Sequence, residues 1–258
     1  HDRRLDEFSW YCGNGVLMQE FFNRHEKVAL MFSGGKDSLA CLHLVKDYLD
    51  KVLVVWVNTG ANFPEIEQMM REVKSIVTHF HEIKTNQPES IKSKGYPVDV
   101  VPVNYTLLGQ SVTSIKDFKV RSYFECCSEN FWIPCDAEMR KLGVTGIIRG
   151  QRNSEAHRAP IKSGHIENGI EYYLPIESWK DSEVIDYLRS KDVVIDERLS
   201  MAHSSLDCWN CTAYMAESAD RFKYIKKHHP SKYESIVEIV KKIDNVITAE
   251  SNIYKGFL

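Results

Sequence analysis

The stretch Lys27-Val28-Ala29-Leu30-Met31-Phe32-Ser33-Gly34-Gly35-Lys36-Asp37-Ser38 decides the fold. Val28 to Met31 form a short unbroken apolar run, which reads as a strand buried on both faces, and Ser33-Gly34-Gly35 breaks it. Leu39, Ala40, Leu42, Leu44 and Val45 then recur at helical spacing, which predicts a helix running to Leu49. Val52-Leu53-Val54-Val55-Trp56-Val57 is a second buried run that ends at Asn58-Thr59-Gly60. A further helix is expected from Pro64, a residue suited to a first helical turn, to Val77, and a weaker strand from His79 to Thr85. Parallel strands need a crossover between them, so this alternation predicts an α/β fold: a doubly wound, mostly parallel sheet flanked by helices.

Beyond it, residues 86–120 are polar, carry scattered prolines, and read as a long irregular or partly helical insertion. Helical spacing resumes from Cys127 to Leu142, and Val144 to Ile148 is a strand candidate ending in Arg149-Gly150. Asp181 to Leu188 has helical spacing, and the last forty residues read as two helices parted near Pro230, a helical C-terminal segment. No internal repeat or low-complexity segment is present.

Composition is that of an ordinary globular enzyme, with 43% hydrophobic and 27% charged residues in 258. That excludes a disordered or fibrous chain, and no run of 18 apolar residues marks a membrane span. The N-terminus lacks the succession of a signal peptide, so the cytoplasm is the expected location. With 33 basic and 36 acidic residues the net charge is −3. Bulk charge therefore does not indicate nucleic acid, although Lys226-Lys227-His228-His229 and Lys241-Lys242 leave it open as a partner. Seven cysteines are too few for a disulfide scaffold and odd in number, so reduced thiols or metal ligands are expected.

Ser33-Gly34-Gly35-Lys36-Asp37-Ser38 lies where strand gives way to helix, where unpaired backbone N–H groups and the helix dipole converge on an anion. The glycines admit close approach of phosphate oxygens, Lys36 adds a point charge and the serines add donors. The spacing is not that of a Walker loop. Asp37 reads either as a residue placing Mg²⁺ on the phosphates or as a helix cap. Thr59-Gly60, at the end of the second strand, sits where α/β sheets bind ligands and would flank an adenine or ribose. Arg152 and Arg158, after the strand candidate 144–148, would supply guanidinium forks to a phosphate or sulfate.

Cys126 and Cys127 are adjacent, and Cys208-Trp209-Asn210-Cys211 is a C-x-x-C. Four thiolates suit a tetrahedral zinc or an iron–sulfur cube; neighbouring cysteines fit the larger cluster better, since their sulfurs can reach different irons. A thioredoxin-like role for the C-x-x-C is set in the wrong context, late in the chain after a polar stretch. Cys12, Cys41 and Cys135 read as unreactive cysteines.

The loop matches all six positions of the S-G-G-x-D-S pattern of the PP-loop ATP pyrophosphatases, and the chain most resembles their phosphoadenosine phosphosulfate (PAPS) reductase branch. Asn58-Thr59-Gly60-Ala61-Asn62-Phe63-Pro64-Glu65 is similar to that branch's D-T-G-x-x-F-P-E, with asparagine for aspartate. Gly150-Gln151-Arg152 through Arg158-Ala159 resembles its G-x-R…R-A segment, and Pro175-Ile176 with Trp179 and Val184 its P-L-x-x-W-x-x-x-D-V segment. The C-C…C-x-x-C layout looks like the [4Fe–4S] motif of adenosine phosphosulfate (APS) reductases, assigning Cys126, Cys127, Cys208 and Cys211 as ligands.

The resemblance implies an adenine nucleotide alpha hydrolase-like fold, with residues 1–212 as the nucleotide-binding domain and 213–258 as a helical extension. It implies ATP, PAPS or APS bound by Ser33, Gly34, Gly35, Lys36, Asp37, Ser38, Thr59, Gly60, Gly150, Arg152 and Arg158, with Lys36 and Asp37 catalytic and Mg²⁺ bridging the phosphates. A sulfur- or electron-donor protein and a homo-oligomer are the further partners it brings to mind. Two departures stand out. The reductases' E-C-G-L-H tail has no counterpart, for no cysteine follows Cys211, and Asn130 and Phe131 occupy the positions of the R-K pair after the tandem cysteines. The expected chemistry is accordingly ATP pyrophosphatase or sulfur transfer, with a sulfonucleotide reductase using another thiol, or a non-catalytic nucleotide or redox sensor, as alternatives.

Overall fold

In the computed structural model the described residues are 17–115, 118–155, 159–201 and 208–258. In chain order the elements are helix α1 (17–24), β1 (Val28–Met31), α2 (Lys36–Leu44), β2 (Val52–Asn58), α3 (Pro64–Ile76), β3 (His79–Lys84), α4 (Gln87–Lys94), β4 (Tyr96–Val98), α5 (Leu107–Val112), β5 (Val120–Ser122) and α6 (Tyr123–Cys127). A π-helical turn, Ser128–Trp132, leads into α7 (Ile133–Lys141), followed by β6 (Gly146–Ile148), β7 (Ile166–Glu167), β8 (Ile170–Tyr173), α8 (Asp181–Arg189), α9 (Glu197–Ser200), α10 (Ala219–His228) and α11 (Pro230–Lys255).

Six strands form one sheet in the order β3-β2-β1-β6-β8-β7. The β1 strand pairs in parallel with β2 and β6, setting Leu30 opposite Val54 and Ile148, and β6 pairs in parallel with β8. Strand β7 runs antiparallel to β8, closing the edge as a hairpin. The apolar runs are continuous because both faces are covered: Val28, Ala29, Leu30, Val52, Val54 and Val55 are all within 1% of full burial. Helix α2 ends at Leu44 rather than Leu49, where a 3₁₀ turn at Lys46–Tyr48 takes over.

The chain clusters into two compact units, neither continuous in sequence. The first comprises 1–56, 68–82 and 137–200, the second 57–67, 83–136 and 201–258. The first contains most of the sheet, α2 packed on α8, and α1, whose Phe21 stacks on Tyr173 with ring centroids 5.1 Å apart. In the second, the described residues of 86–122 hold α4, α5 and the short strands β4 and β5, paired in parallel, where the sequence suggested an irregular or partly helical insertion. Val98 and Val120 from these strands form a core with Ile243 of α11. The compact units therefore do not part at residue 212. Helix α11 covers β4 and β5 through Ile243, with Ile239 and Ile247 packed beside it. No helix among the described residues is long and apolar enough to cross a membrane.

Candidate functional site

The loop after β1 leads straight into α2, with Gly35 as the N-cap and no side-chain capping hydrogen bond. Gly34 adopts φ +81°, which a side chain would strain. The first-turn amides of α2 thus keep the polarity that draws anions. Asp37 does not cap the helix; it lies in the first turn, and its carboxylate is 3.3 Å from the Lys36 ammonium and 2.6 Å from Nε of Arg152.

Asp181, first residue of α8, joins them. Its Oδ1 is 3.1 Å from Lys36 Nζ and accepts a hydrogen bond from Arg152 Nη2 at 3.0 Å. Both cations are buried, and Arg152 also donates through Nη1 to Ser154 while its backbone N–H donates to Glu155. Burial, with the charge of Asp37 adding to it, pushes the Glu155 carboxyl above its ordinary range, against the pull of Arg152 and Lys36. Arg198 donates to the carbonyl of Gly34 at 2.7 Å. Gly150 closes the arrangement: a Cβ there would stand 2.7 Å from Asp37 C and 2.8 Å from Ser38 N. Arg158 falls outside the described residues, and so do His157 and Cys12.

Thr59 and Gly60 belong to the second unit. Asn58 Oδ1 accepts from the Gly60 N–H at 3.0 Å and from Asn62 Nδ2 at 2.6 Å, so the asparagine in place of aspartate builds a side-chain turn. Thr59 Oγ1 lies 3.3 Å from Cys208 Sγ, and the Trp209 N–H donates to the Ala61 carbonyl at 3.0 Å. The segment expected beside adenine is thus tied to the C-x-x-C turn.

All four cysteines singled out from the sequence lie in this second unit, and none of them forms a disulfide. Cys126 and Cys127 end α6, which is capped by Ser122 and Glu125 in a reciprocal box. The other pair is held from several sides. Thr212 Oγ1 donates to the Pro97 carbonyl at 2.6 Å, the Tyr214 and Met215 amides donate to Asp99, and the buried Arg221 of α10 donates to the carbonyls of Cys211 and Ala213. Tyr214 sits at φ +57°, a strained position held by the Asp99 clamp, with its hydroxyl 3.8 Å from Cys127 Sγ. Burial and the neighbouring Cys127 and Cys211 raise the Tyr214 phenol far above its ordinary range.

Burial also raises the Cys126 thiol, partly opposed by the Arg121 guanidinium beside it, and Cys211 contributes to the same environment. Cys126, Cys127 and Cys211 therefore act on common neighbours, and Cys208 sits on Thr59. Among the described residues no three His, Cys, Asp or Glu side chains are gathered into a metal-holding group. The four side chains are all thiols, the donor type that soft metal centres take. Cys41 is fully buried and its thiol lies well above the ordinary range, chiefly from burial, so it is inert. Cys135 is half-buried on α7. Asp181, Tyr214, Asp99 and Arg121 had no motif to announce them.

The chain is thus an α/β protein in which an uncapped helix N-terminus meets two buried cations held by carboxylates. The comparisons narrow this. Residues 27–214 match the family described as phosphoadenosine phosphosulfate reductase domain, and the chain belongs to that family. It is 28% identical over 147 residues to the adenosine 5'-phosphosulfate reductase of Mycobacterium tuberculosis, covering 55% of this chain and 58% of that one. It is 26% identical over 177 residues to the phosphoadenosine 5'-phosphosulfate reductase of Photobacterium profundum, covering 66% and 62%. An uncharacterized protein of Methanocaldococcus jannaschii is 24% identical over 91% of this chain and 52% of its own length. The chain thus spans between about half and three-fifths of the curated relatives it matches. The crystal structure of the Candida auris PAPS reductase, a phosphate complex, shares the fold, with a TM-score of 0.55 at 17% identity over 76% of this chain and 88% of that one.

Proposed function

We propose that the chain binds an adenine nucleotide with its phosphates on Ser33 to Ser38, and that it uses ATP in a pyrophosphatase reaction that activates an acceptor for sulfur transfer. The observation that carries this reading is the pair of buried cations, Lys36 and Arg152, converging with Asp37 and Asp181 on the uncapped end of α2. The loop amides and Lys36 hold the phosphates and offset charge as pyrophosphate leaves. Arg152 offers its guanidinium to a phosphate oxygen, with Gly150 keeping the loop backbone in place. Asp37 and Asp181 would hold a Mg²⁺ ion, which would supply charge to offset that of the phosphates. In the same reading Cys126, Cys127, Cys208 and Cys211 hold a [4Fe–4S] cluster, which when bound supplies one-electron transfer.

A second reading, reduction of APS or PAPS with a thioredoxin-like donor, is favoured by the names of the relatives. One pair of assays separates the two. Anaerobically prepared protein is given ATP and Mg²⁺ with pyrophosphate as the readout, and separately APS or PAPS with reduced thioredoxin and sulfite as the readout. Pyrophosphate without sulfite supports the first reading; sulfite without pyrophosphate replaces it with the second. Neither product, with nucleotide still bound, leaves a sensor.

A further inference from the structure

The second unit holds a cavity of about 560 Å³ lined by α4, the β4–β5 region, the first turns of α11 and residues 209–212. Its size suits a small molecule or one unit of a polymer. Ile91 and Ile236, both buried, line it beside three half-buried aromatic residues, Tyr96, Phe118 and Trp209. Backbone sets one wall: the Tyr96 N–H donates to the Lys119 carbonyl at 2.8 Å, and a Cβ on Gly95, at φ +111°, would stand 2.6 Å from Lys119 C. A wall fixed in this way needs little ordering when a ligand enters.

Lys92 and Lys119 line the same cavity, and Lys232 places its ammonium 4.2 Å from the centroid of the Trp209 ring. Lys119 Nζ donates to the Ser93 carbonyl at 2.8 Å, and among the described residues neither it nor Lys232 is paired with a carboxylate. Lys92 meets Glu89 only at 3.8 Å with both side chains exposed, a weak pairing. The next residue of α11, Tyr233, has Lys226 Nζ 5.6 Å from its own ring centroid. The arrangement fits a ligand whose flat ring and anionic group lie close together, since bases stack on aromatic faces while lysines hold the phosphates. An acyl chain would leave the ammonium groups unanswered, and inorganic phosphate would leave the rings so.

We propose that this cavity takes one base and its adjoining phosphate from a single-stranded nucleic acid, with Trp209 as the stacking face and Lys92, Lys119 and Lys232 on the phosphates. The Lys232 ammonium leaves the Trp209 ring for a phosphate as the base arrives. A strand, rather than a free nucleotide, is the occupant because Lys226 and Tyr233 offer a second cation and ring one residue along α11. The net charge of −3 does not oppose this, since the attraction is local to these lysines.

The test uses the full chain and a short fluorescent oligothymidylate, whose lack of adenine keeps its binding separate from what the Ser33–Ser38 loop takes. Anisotropy is followed as salt is raised. The combined K92Q/K119Q/K232Q variant is expected to bind about 10-fold more weakly or worse at low salt and to lower the slope of log K against log salt by about 2. W209L keeps an apolar side chain without the ring face; it is expected to weaken binding about 5-fold or more and to leave the slope unchanged. K241Q/K242Q removes two exposed lysines further along α11 and should bind as the wild type does. No binding by the wild type, or an equal loss in K241Q/K242Q and the combined cavity variant, overturns the proposal. So does displacement of the oligonucleotide by thymidine monophosphate, which would make a free nucleotide the occupant, or by polyglutamate, which would make the attraction one of charge alone. Should W209L fail to fold, ultraviolet crosslinking of the wild type to a strand carrying 5-iodouracil decides. Adducts on Tyr96, Phe118 or Trp209 support the proposal, and adducts confined to other residues overturn it.

Discussion

Asp181 meets both buried cations, at 3.1 Å from Lys36 and 3.0 Å from Arg152, and in the proposed function it is the group a phosphate would displace. Its side chain is 40% exposed while those of the cations are nearly covered, so the carboxylate is the member of the group most able to move. D181N is therefore expected to raise affinity for ATP measured without Mg²⁺ several-fold and to weaken the Mg²⁺ dependence; a fall in Mg²⁺-free affinity in titration calorimetry would contradict this placement. R152A has the opposite character. It leaves Lys36 as the one buried cation facing Asp37 and Asp181 and is expected to cost about 1–3 kcal/mol of stability as well as nucleotide binding, read by denaturant melts with and without ATP. Glu171 shows the same chemistry away from the site. Hydrogen bonding from Arg24, then from His25, outweighs burial and holds its carboxyl below the ordinary value of 4.5. A depressed folded pKa stabilises the fold at pH above 4.5, and that contribution is lost as pH falls through the folded value. Acid melts of E171Q should lack this part of the slope; an unchanged acid limb would remove the pairing as its source.

Among the elements, those with a strong local signal were legible and those made by distant pairing were not. The runs Val28–Met31 and Val52–Asn58 are apolar because both faces of a parallel strand are covered, and they stand where the sequence places them. Pro64 opens α3 and Pro230 opens α11 as expected of residues without an N–H to lose. By contrast β4 and β5 are three residues each, too short to show a period, and exist only because each supplies the other's backbone partners. The helix expected from Cys127 to Leu142 is interrupted by the π-helical turn that buries Asn130, a detour no periodicity announces. The Ser33–Ser38 loop stands out in sequence because its glycines and lysine are adjacent, whereas Asp181 and Arg121 reach their partners only through the fold. Gly150 links the two kinds of evidence. Its motif position is readable, but the reason for it is the Asp37–Ser38 backbone 2.7 to 2.8 Å from where a Cβ would be. Backbone cannot yield as a flexible side chain can, so G150A is expected to cost about 1–3 kcal/mol and to reduce ATP affinity more than its stability loss explains. A normal melting temperature with normal ATP binding would show that α2 can shift aside.

At the scale of the molecule, phosphate loop and cysteine quartet fall in different compact units, each assembled from separate stretches of chain. This is why a boundary at residue 212, natural in sequence, does not fit the packing. Ile243 of α11 closes on Val98 and Val120, and Arg221 of α10 holds the carbonyls of Cys211 and Ala213. A chain cut after residue 212 would expose that core and release the turn carrying Cys208 and Cys211. I243A alone is expected to cost about 2–4 kcal/mol. The same partition makes a prediction about cooperativity. If the quartet braces the second unit by binding a common metal group, stripping that group should raise amide exchange in α6, the π-helical turn and residues 208–215, which carry or adjoin the four cysteines. Exchange in β1 and α2 should hold steady, because their partners Val52, Val54, Gly146 and Ile148 all lie in the first unit. ATP should do the reverse, slowing exchange at the start of α2 and sparing α6. Hydrogen exchange on loaded, stripped and ATP-bound protein distinguishes this from a single cooperative block, in which stripping the metal group would loosen β1 and α2 to the same degree as α6.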